Sequence, residues 1–572
     1  MTMKFTSFCR RHIDTLTAAL LALCAFTVYR LTMAPHLGTE DPGEIATALH
    51  GLGVLHPTGY PLYSLIGSLF ARLPWGDSVI ERLNLLGALL TALATFLFHG
   101  TFRTLLTASI TPVFSPRAPA AGTPAVSPRR GAPQPPAARS PSSSASSSPV
   151  STLHADTAAR LGALVATLTF AFSAVYWFEA VWVEVYCLHL VFLALVVRLF
   201  VAALAHPGDN RRWLMFAYVL GLSFAHHMMT VLLAPAFLLL FFQVHGLGRA
   251  AWIRIARAVP PFLLALTAYL YLPLRASVKP LMNWGDPSTP VALWDHIRGA
   301  QFRDQMFSSL EVAGRKLLQF GADLPGDFGY APLVPALVGL WAVRRTPRLL
   351  TFTLLIFVTG VVYAINYAFD DANFYLNAHF AVALAGGMGA AWLWSCARGA
   401  GRTAVAAAVA LVALCPLVFN LRDLDKSRDT VVVDYARNML SSLDTNGVLF
   451  SNEYERFGSP AFYLQNVDGF RADATVFDVI MLGMPWYLDH LEQRDPTLMA
   501  SVRPELTVFR TDLQRHLATR ADSAAVRASL ATLFHALVTR SNAAGRPVYV
   551  TSGINPYLIE RYRHAPTGMV FR

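Results

Sequence analysis

The segment Glu40-Asp41-Pro42-Gly43-Glu44 holds three carboxylates within five residues, and His56 follows in His56-Pro57-Thr58-Gly59-Tyr60-Pro61. Carboxylates so placed can take a proton from a hydroxyl, help hold a divalent cation, or cap a helix. Capping fits the local pattern closely. Asp41 would be the N-cap, Pro42 the first helical residue, and Glu44 would reach back as a capping box. Further ionisable groups recur downstream: Glu179, Glu184, His226, His227, Arg275, Lys279, Asp286, Asp370 and Asp371. Each has a plainer use. Glu179 and Glu184 can solvate a hairpin turn. His226 and His227 point about 100° apart on a helix, so they ligate one metal poorly and suit packing or a polar gap. Arg275 can snorkel to an interface or form a bidentate contact with a phosphate. A divalent cation is compatible with the converging carboxylates, but no spacing fixes one.

The elements that must position these groups are apolar. The chain has 572 residues, 54% of them hydrophobic and 14% charged, with mean hydropathy +0.43. It reads as a polytopic membrane protein. Its net charge of +11 comes from Lys and Arg in short loops between apolar runs, as the positive-inside rule requires, and no folded soluble stretch carries the basic patch of a nucleic-acid binder. The five cysteines lie in or beside apolar runs without metal-ligand spacing and read as small hydrophobes. A basic flank (Lys4, Arg10, Arg11) before the first apolar run reads as a retained signal anchor.

Loop charges then predict about 11 spans, each of about 20 apolar residues. Arg117, Arg129, Arg130 and Arg139 mark an inner loop, as do Arg249, Arg254 and Arg257, then Arg344, Arg345 and Arg348, and finally Arg398 and Arg402. The carboxylates, His226 and His227 then gather at the outer face, with the run 213–242 split in two at Gly221. The expected fold class is an all-α polytopic membrane domain with a C-terminal soluble α/β domain. Its expected divisions are 1–106 (first helices and outer loop), 107–157 (a cytoplasmic insert rich in Pro, Ser, Ala and Arg, disordered over 115–150), 158–420 (remaining spans, with an outer loop 275–328) and 421–572 (the outer domain). Residues 447–451 and 547–551 read as strands there, and 506–517 and 524–538 as helices.

Several segments resemble one family: Tyr29-Arg30-Leu31-Thr32-Met33-Ala34-Pro35, Asp41-Pro42-Gly43-Glu44, Gly53 through Tyr63, Trp177 through Tyr186, Gly221-Leu222-Ser223 with His226-His227, and Tyr271 through Arg275 with Asn283-Trp284-Gly285-Asp286-Pro287. They are similar to a bacterial multi-pass membrane family related to a eukaryotic transmembrane protein O-mannosyltransferase, within the GT-C glycosyltransferases. The match spans about residues 29–290 and weakens beyond Asp370. The resemblance implies an inner-membrane enzyme whose active site faces outward. It also implies a polyprenyl-phosphate-linked sugar, by the eukaryotic relative mannose, as donor, and a protein Ser/Thr or an envelope glycan as acceptor. Asp41 and Glu44 are the matching catalytic positions. Attack would proceed with inversion, Arg275 and Lys279 holding the phosphate, and His56, Glu184, His226 and His227 attending the substrates. The competing readings are a lipid or glycan transporter, whose polar groups would sit in broken helices at the midplane, and a non-catalytic envelope assembly protein. Charged groups at helix ends on one side favour the enzyme.

Overall fold

In a computed structural model, which describes residues 2–108, 113–114, 149–307, 309–369, 371–519 and 523–572, the apolar runs fold as helices. In chain order they and their connecting helices are α1 (Thr2–Thr32), α2 (Pro42–Gly51), α3 (Pro61–Ala71), α4 (Val79–Ala108), α5 (Pro149–Ala171), α6 (Ala174–Phe178), α7 (Tyr186–Ala205), α8 (Asn210–His226) and α9 (Ala234–His245). There follow α10 (Arg249–Leu266), α11 (Tyr271–Ala276), α12 (Pro290–Ile297), α13 (Leu310–Asp327), α14 (Leu333–Ala342), α15 (Pro347–Ile365), α16 (Leu376–Cys396), α17 (Ala400–Ala413) and α18 (Cys415–Leu424). Among the described residues, 8 helices are long and apolar enough to cross a membrane. The other three expected runs are also helical, as α5, α8 and α14, but α8 has 17 residues and α14 only 10, short of the about 20 that a membrane needs.

Lipid gives helices no hydrophobic reason to associate, so close packing of small residues must hold them. Gly339 of α14 and Gly389 of α16 show this. A Cβ at either would strike the backbone of the facing helix. The break expected at Gly221 occurs instead at His227, where the backbone becomes extended (φ −143°, ψ 129°) and the ring Nδ1 accepts from the Met229 N–H. Gly221 stays helical, and its lack of a side chain lets Phe262 approach. The stretch 115–148, the bulk of the expected disordered insert, and Asp370 lie outside the described residues; 149–150 begin α5.

The C-terminal part is the expected α/β unit. Strands β1 (Val448–Ser451), β2 (Thr475–Asp478), β3 (Val548–Val550), β4 (Pro566–Thr567) and β5 (Val570–Phe571) form one sheet in the order β2-β1-β3-β5-β4. Strands β2, β1 and β3 are parallel and almost wholly buried. Long helices Arg503–Thr519 and Ser523–Ala543 cover the expected helical stretches. The unit docks on the membrane part, and the Lys426 N–H donates to the Thr32 carbonyl at the end of α1 (2.9 Å).

Candidate active site

Pro42 opens α2 as expected, but the capping box does not form. Asp41 already has helical dihedrals (φ −79°, ψ −21°) and its side chain makes no capping hydrogen bond. Glu44 turns away from the helix start toward stronger donors. The cap comes from the far end of the chain, where Ser459 Oγ accepts from the Glu44 N–H at 3.0 Å. Gly43 permits that approach, since a Cβ there would run into the Ser459 backbone. The Glu40 N–H donates to the Glu455 carbonyl (3.0 Å), so a turn of π-helix, Tyr454–Gly458, and the residue after it clamp the acidic loop from outside.

The two candidate carboxylates are thereby made unequal. Glu44 is fully buried. Its Oε1 accepts from the His56 backbone N–H (2.9 Å) and lies 3.1 Å from His56 Nδ1, while its Oε2 accepts from Tyr454 Oη (3.2 Å). Asp41 keeps 42% of its side chain accessible and lies 3.8 Å from His56 Nε2. Tyr60 Oη donates to the Pro57 carbonyl (3.2 Å) and lies 3.1 Å from His56 Nε2, a set of partners that suits a ring with both nitrogens protonated. Burial alone would lower the His56 pKa, but the charges of Glu44 and Asp41 and the hydrogen bond to Glu44 hold it at about 9. Burial raises Asp41 to about 6, with Glu44 adding to the rise and His56 opposing it. Glu40 is pushed to about 7 by burial and by Asp371 and Asp41.

The ligating atoms of Asp41, Glu44 and His56 all lie within 4.8 Å of one another. Two carboxylates and one imidazole could hold a divalent cation, with waters completing the shell, in place of the imidazolium proton.

A second layer surrounds this centre. Tyr60 stacks on His227 (5.6 Å between ring centroids), His227 packs on Tyr186 (4.9 Å), and Tyr186 Oη donates to Asp371 (3.1 Å). His226 is buried, its Nε2 3.0 Å from the Val185 carbonyl. The two histidines thus pack between aromatic rings, one layer behind His56. Glu184 is buried beside them. Burial, with the Asp41 and Glu179 charges adding, pushes its carboxyl well above the usual range. Glu179 is fully buried with no partner for either oxygen, so it is not the solvated turn residue that the hairpin suggested. Trp284 packs edge-on to His56 (6.0 Å) and to Tyr454 (6.2 Å), held there by a short bridge between Val54 and Asn283.

Arg275 and Lys279 are not brought to this centre. Arg275 lies at the opposite end of α2, where its Nε donates to the Leu52 carbonyl (2.7 Å) and its Nη2 to that of Gly51 (3.5 Å). Eleven residues of helical rise separate Leu52 from Asp41, roughly 16 Å. Lys279 lies beyond it, exposed.

Comparison with known proteins agrees with this architecture. Residues 41–246 match the protein O-mannosyl-transferase TMEM260 N-terminal domain, and residues 432–500 match TMEM260-associated domain 2. Over these two stretches the chain is similar to TMEM260-type proteins. The second match extends the likeness beyond Asp370, where the sequence segments weaken. The mouse protein O-mannosyl-transferase TMEM260 is 25% identical over 504 residues, 82% of this chain and 63% of that protein, so the chain spans just under two thirds of its relative. The Dictyostelium discoideum protein is 27% identical over 84 residues, 14% of this chain and 10% of its own. Among solved structures, ArnT from Cupriavidus metallidurans bound to undecaprenyl phosphate superposes with TM-score 0.55 at 12% identity, covering 96% of both chains. Apo ArnT gives 0.51 at 12%, covering 81% of this chain and 89% of that one. The chain shares its fold with these structures.

Tyr454 and Ser459 were missed by sequence reasoning. They contact Glu44 across 410 and 415 residues, and no local pattern announces such a contact.

Proposed function

We propose that the chain is a membrane glycosyltransferase moving a sugar, by its relatives mannose, from a polyprenyl phosphate to a hydroxyl of a protein or envelope glycan. The observation that carries this reading is the inequality of the two carboxylates. Glu44 is saturated with donors, whereas Asp41 is open, sits beside a cation and has a pKa of about 6, which suits a general base working near neutral pH. Asp41 takes the proton of the acceptor hydroxyl. The hydroxyl oxygen attacks the anomeric carbon from the face opposite the phosphate, the carbon–oxygen bond to phosphate breaks, and polyprenyl phosphate leaves, so the configuration inverts.

Glu44, Tyr454 and Tyr60 hold His56, and the His56 cation keeps Asp41 ionised. Arg275 is not given the reacting phosphate. Its guanidinium is engaged with the carbonyls at the far end of α2 from Asp41. In this reading His226, His227 and Glu184 shape the wall of the site without touching the reacting atoms. The basic inner loops support an inner-membrane protein with this centre and the C-terminal domain on the extracytoplasmic side.

The ligand geometry of Asp41, Glu44 and His56 also supports a second form, in which a divalent cation takes the place of the imidazolium proton and holds the donor phosphate. Transfer of mannose from purified polyprenyl-phosphate mannose to a hydroxyl acceptor by the full chain in detergent, compared with Asp41→Asn, tests the function. Undiminished transfer by the variant would remove Asp41 from the chemistry. Transfer that needs Mn²⁺ or Mg²⁺ and is lost with chelator would select the cation form.

A further inference from the structure

A cavity of about 550 Å³ opens between α13, α6, α18 and the 3₁₀ turn Ala372–Tyr375 that precedes α16. Its volume is that of a ligand site. The sequence of α13 explains its lining. Lys316, Phe320, Asp323 and Asp327 recur at helical spacing and all line the cavity, while Leu310, Leu317 and Leu318 on the other side of α13 are exposed. Asp423 at the end of α18 and Asp371 complete the polar wall. Among the described residues, four carboxylates therefore face one ammonium, that of Lys316, which donates to the Phe369 carbonyl and is the only Lys or Arg in the lining. His379 lies outside the lining, 3.0 Å from Asp327.

Two aromatic pairs line the same space. Phe320 and Tyr375 stack at 4.5 Å between centroids, and Tyr330 meets Phe419 edge-on at 5.6 Å. Such a wall disfavours the phosphate of a polyprenyl donor, because anions repel one another strongly away from bulk water. It suits a ring that offers hydroxyl donors to carboxylates and flat C–H faces to aromatic rings. Asp371 joins the cavity to the centre, since it accepts from Tyr186, which packs on His227 and through it on Tyr60.

We propose that this cavity binds a non-anionic sugar unit and holds it beside the Asp41 centre. The proposal rests on the sugar-transfer reading for its choice of sugar, but its test requires no turnover. Saturation-transfer NMR of the full-length protein in detergent, with methyl α-mannoside as probe, reads binding directly. The double variant Asp323→Asn/Asp423→Asn should weaken binding by about tenfold, since hydrogen bonds to charged acceptors are lost. Tyr330→Ala, at an exposed position, should weaken it as well.

Displacement of the mannoside by polyprenyl-phosphate mannose would assign the unit to the donor, and displacement only by unlinked oligosaccharides would assign it to the acceptor. Displacement by undecaprenyl phosphate or inorganic phosphate would overturn the proposal, as would a Ser/Thr peptide binding where the mannoside does not, or mannoside binding unchanged in both variants. Sugar transfer without mannoside binding would sink the cavity and leave the transferase reading intact. Binding without transfer would do the reverse.

Discussion

At its N-terminal end, α2 meets acids, an imidazole and the C-terminal domain; at its C-terminal end it meets donors to its last carbonyls, Arg275 to those of Leu52 and Gly51 and Arg72 to that of His50. Both ends are polar and both lie in segments that carry the family resemblance. The difference lies in what remains open. Arg275 is engaged with backbone at a helix end that needs donors. Asp41 is left uncapping and accessible because Ser459 has taken over the cap. A helix terminus freed from capping itself can place a carboxylate against a substrate.

The sharpest way to break this contrast is Asp41→Asn. A general base is worth about 10²–10⁴-fold in rate, and since Asp41 does not cap, thermal stability should not move. A loss of stability with little loss of turnover would restore the capping role and make the two ends of α2 alike.

Next in size is Tyr454→Phe, which removes the donor to Glu44 Oε2 and leaves the ring against Trp284. Turnover should fall by about tenfold with KM unchanged, the worth of one hydrogen bond to a charged group. A purely structural tyrosine would instead lower the melting temperature and leave kcat of the surviving protein intact.

A pH profile sharpens the same end. With Asp41 the base and its pKa at about 6, kcat/KM should rise with pH through about 6 and then level off. The His56 cation favours the Asp41 carboxylate, so His56→Gln should move that acid limb to higher pH. A limb that stays in place would take His56 out of the electrostatics of the site.

The smallest effect belongs to the other end. Arg275→Ala should cost about 1–2 kcal/mol of stability, the value of a charged donor lost from two carbonyls, with turnover of the folded protein unchanged. A large loss of turnover from polyprenyl-phosphate mannose, with stability kept, would return the donor phosphate to Arg275.

Much of this arrangement is legible in the chain. The acidic loop and His56 are twelve residues apart, and a short helix followed by a turn brings such neighbours together by local rules. Strands β1 and β3 of the C-terminal unit announce themselves as apolar runs, whereas β2, β4 and β5 do not. What escapes a linear reading depends on distant contacts. The capping box is well formed as a sequence pattern, yet it loses to donors from Ser459, Tyr454 and the His56 loop. The break expected at Gly221 moves to His227, because the glycine is needed for close packing and the imidazole can satisfy the opened backbone. Arg275 is expected at the donor phosphate, and no spacing tells that it would meet the C-terminal end of α2.

The clamp by Tyr454 and Ser459 has a consequence for the making of the protein. Glu44 leaves the ribosome well before the groups that complete its surroundings, which follow 410 and 415 residues later, roughly 20–80 s at ordinary rates of synthesis. Through that interval the acidic loop has an uncapped helix and a carboxylate lacking one of its donors. A half-made chain therefore carries the acids but no finished centre, and competence arrives only when the C-terminal domain has folded and docked.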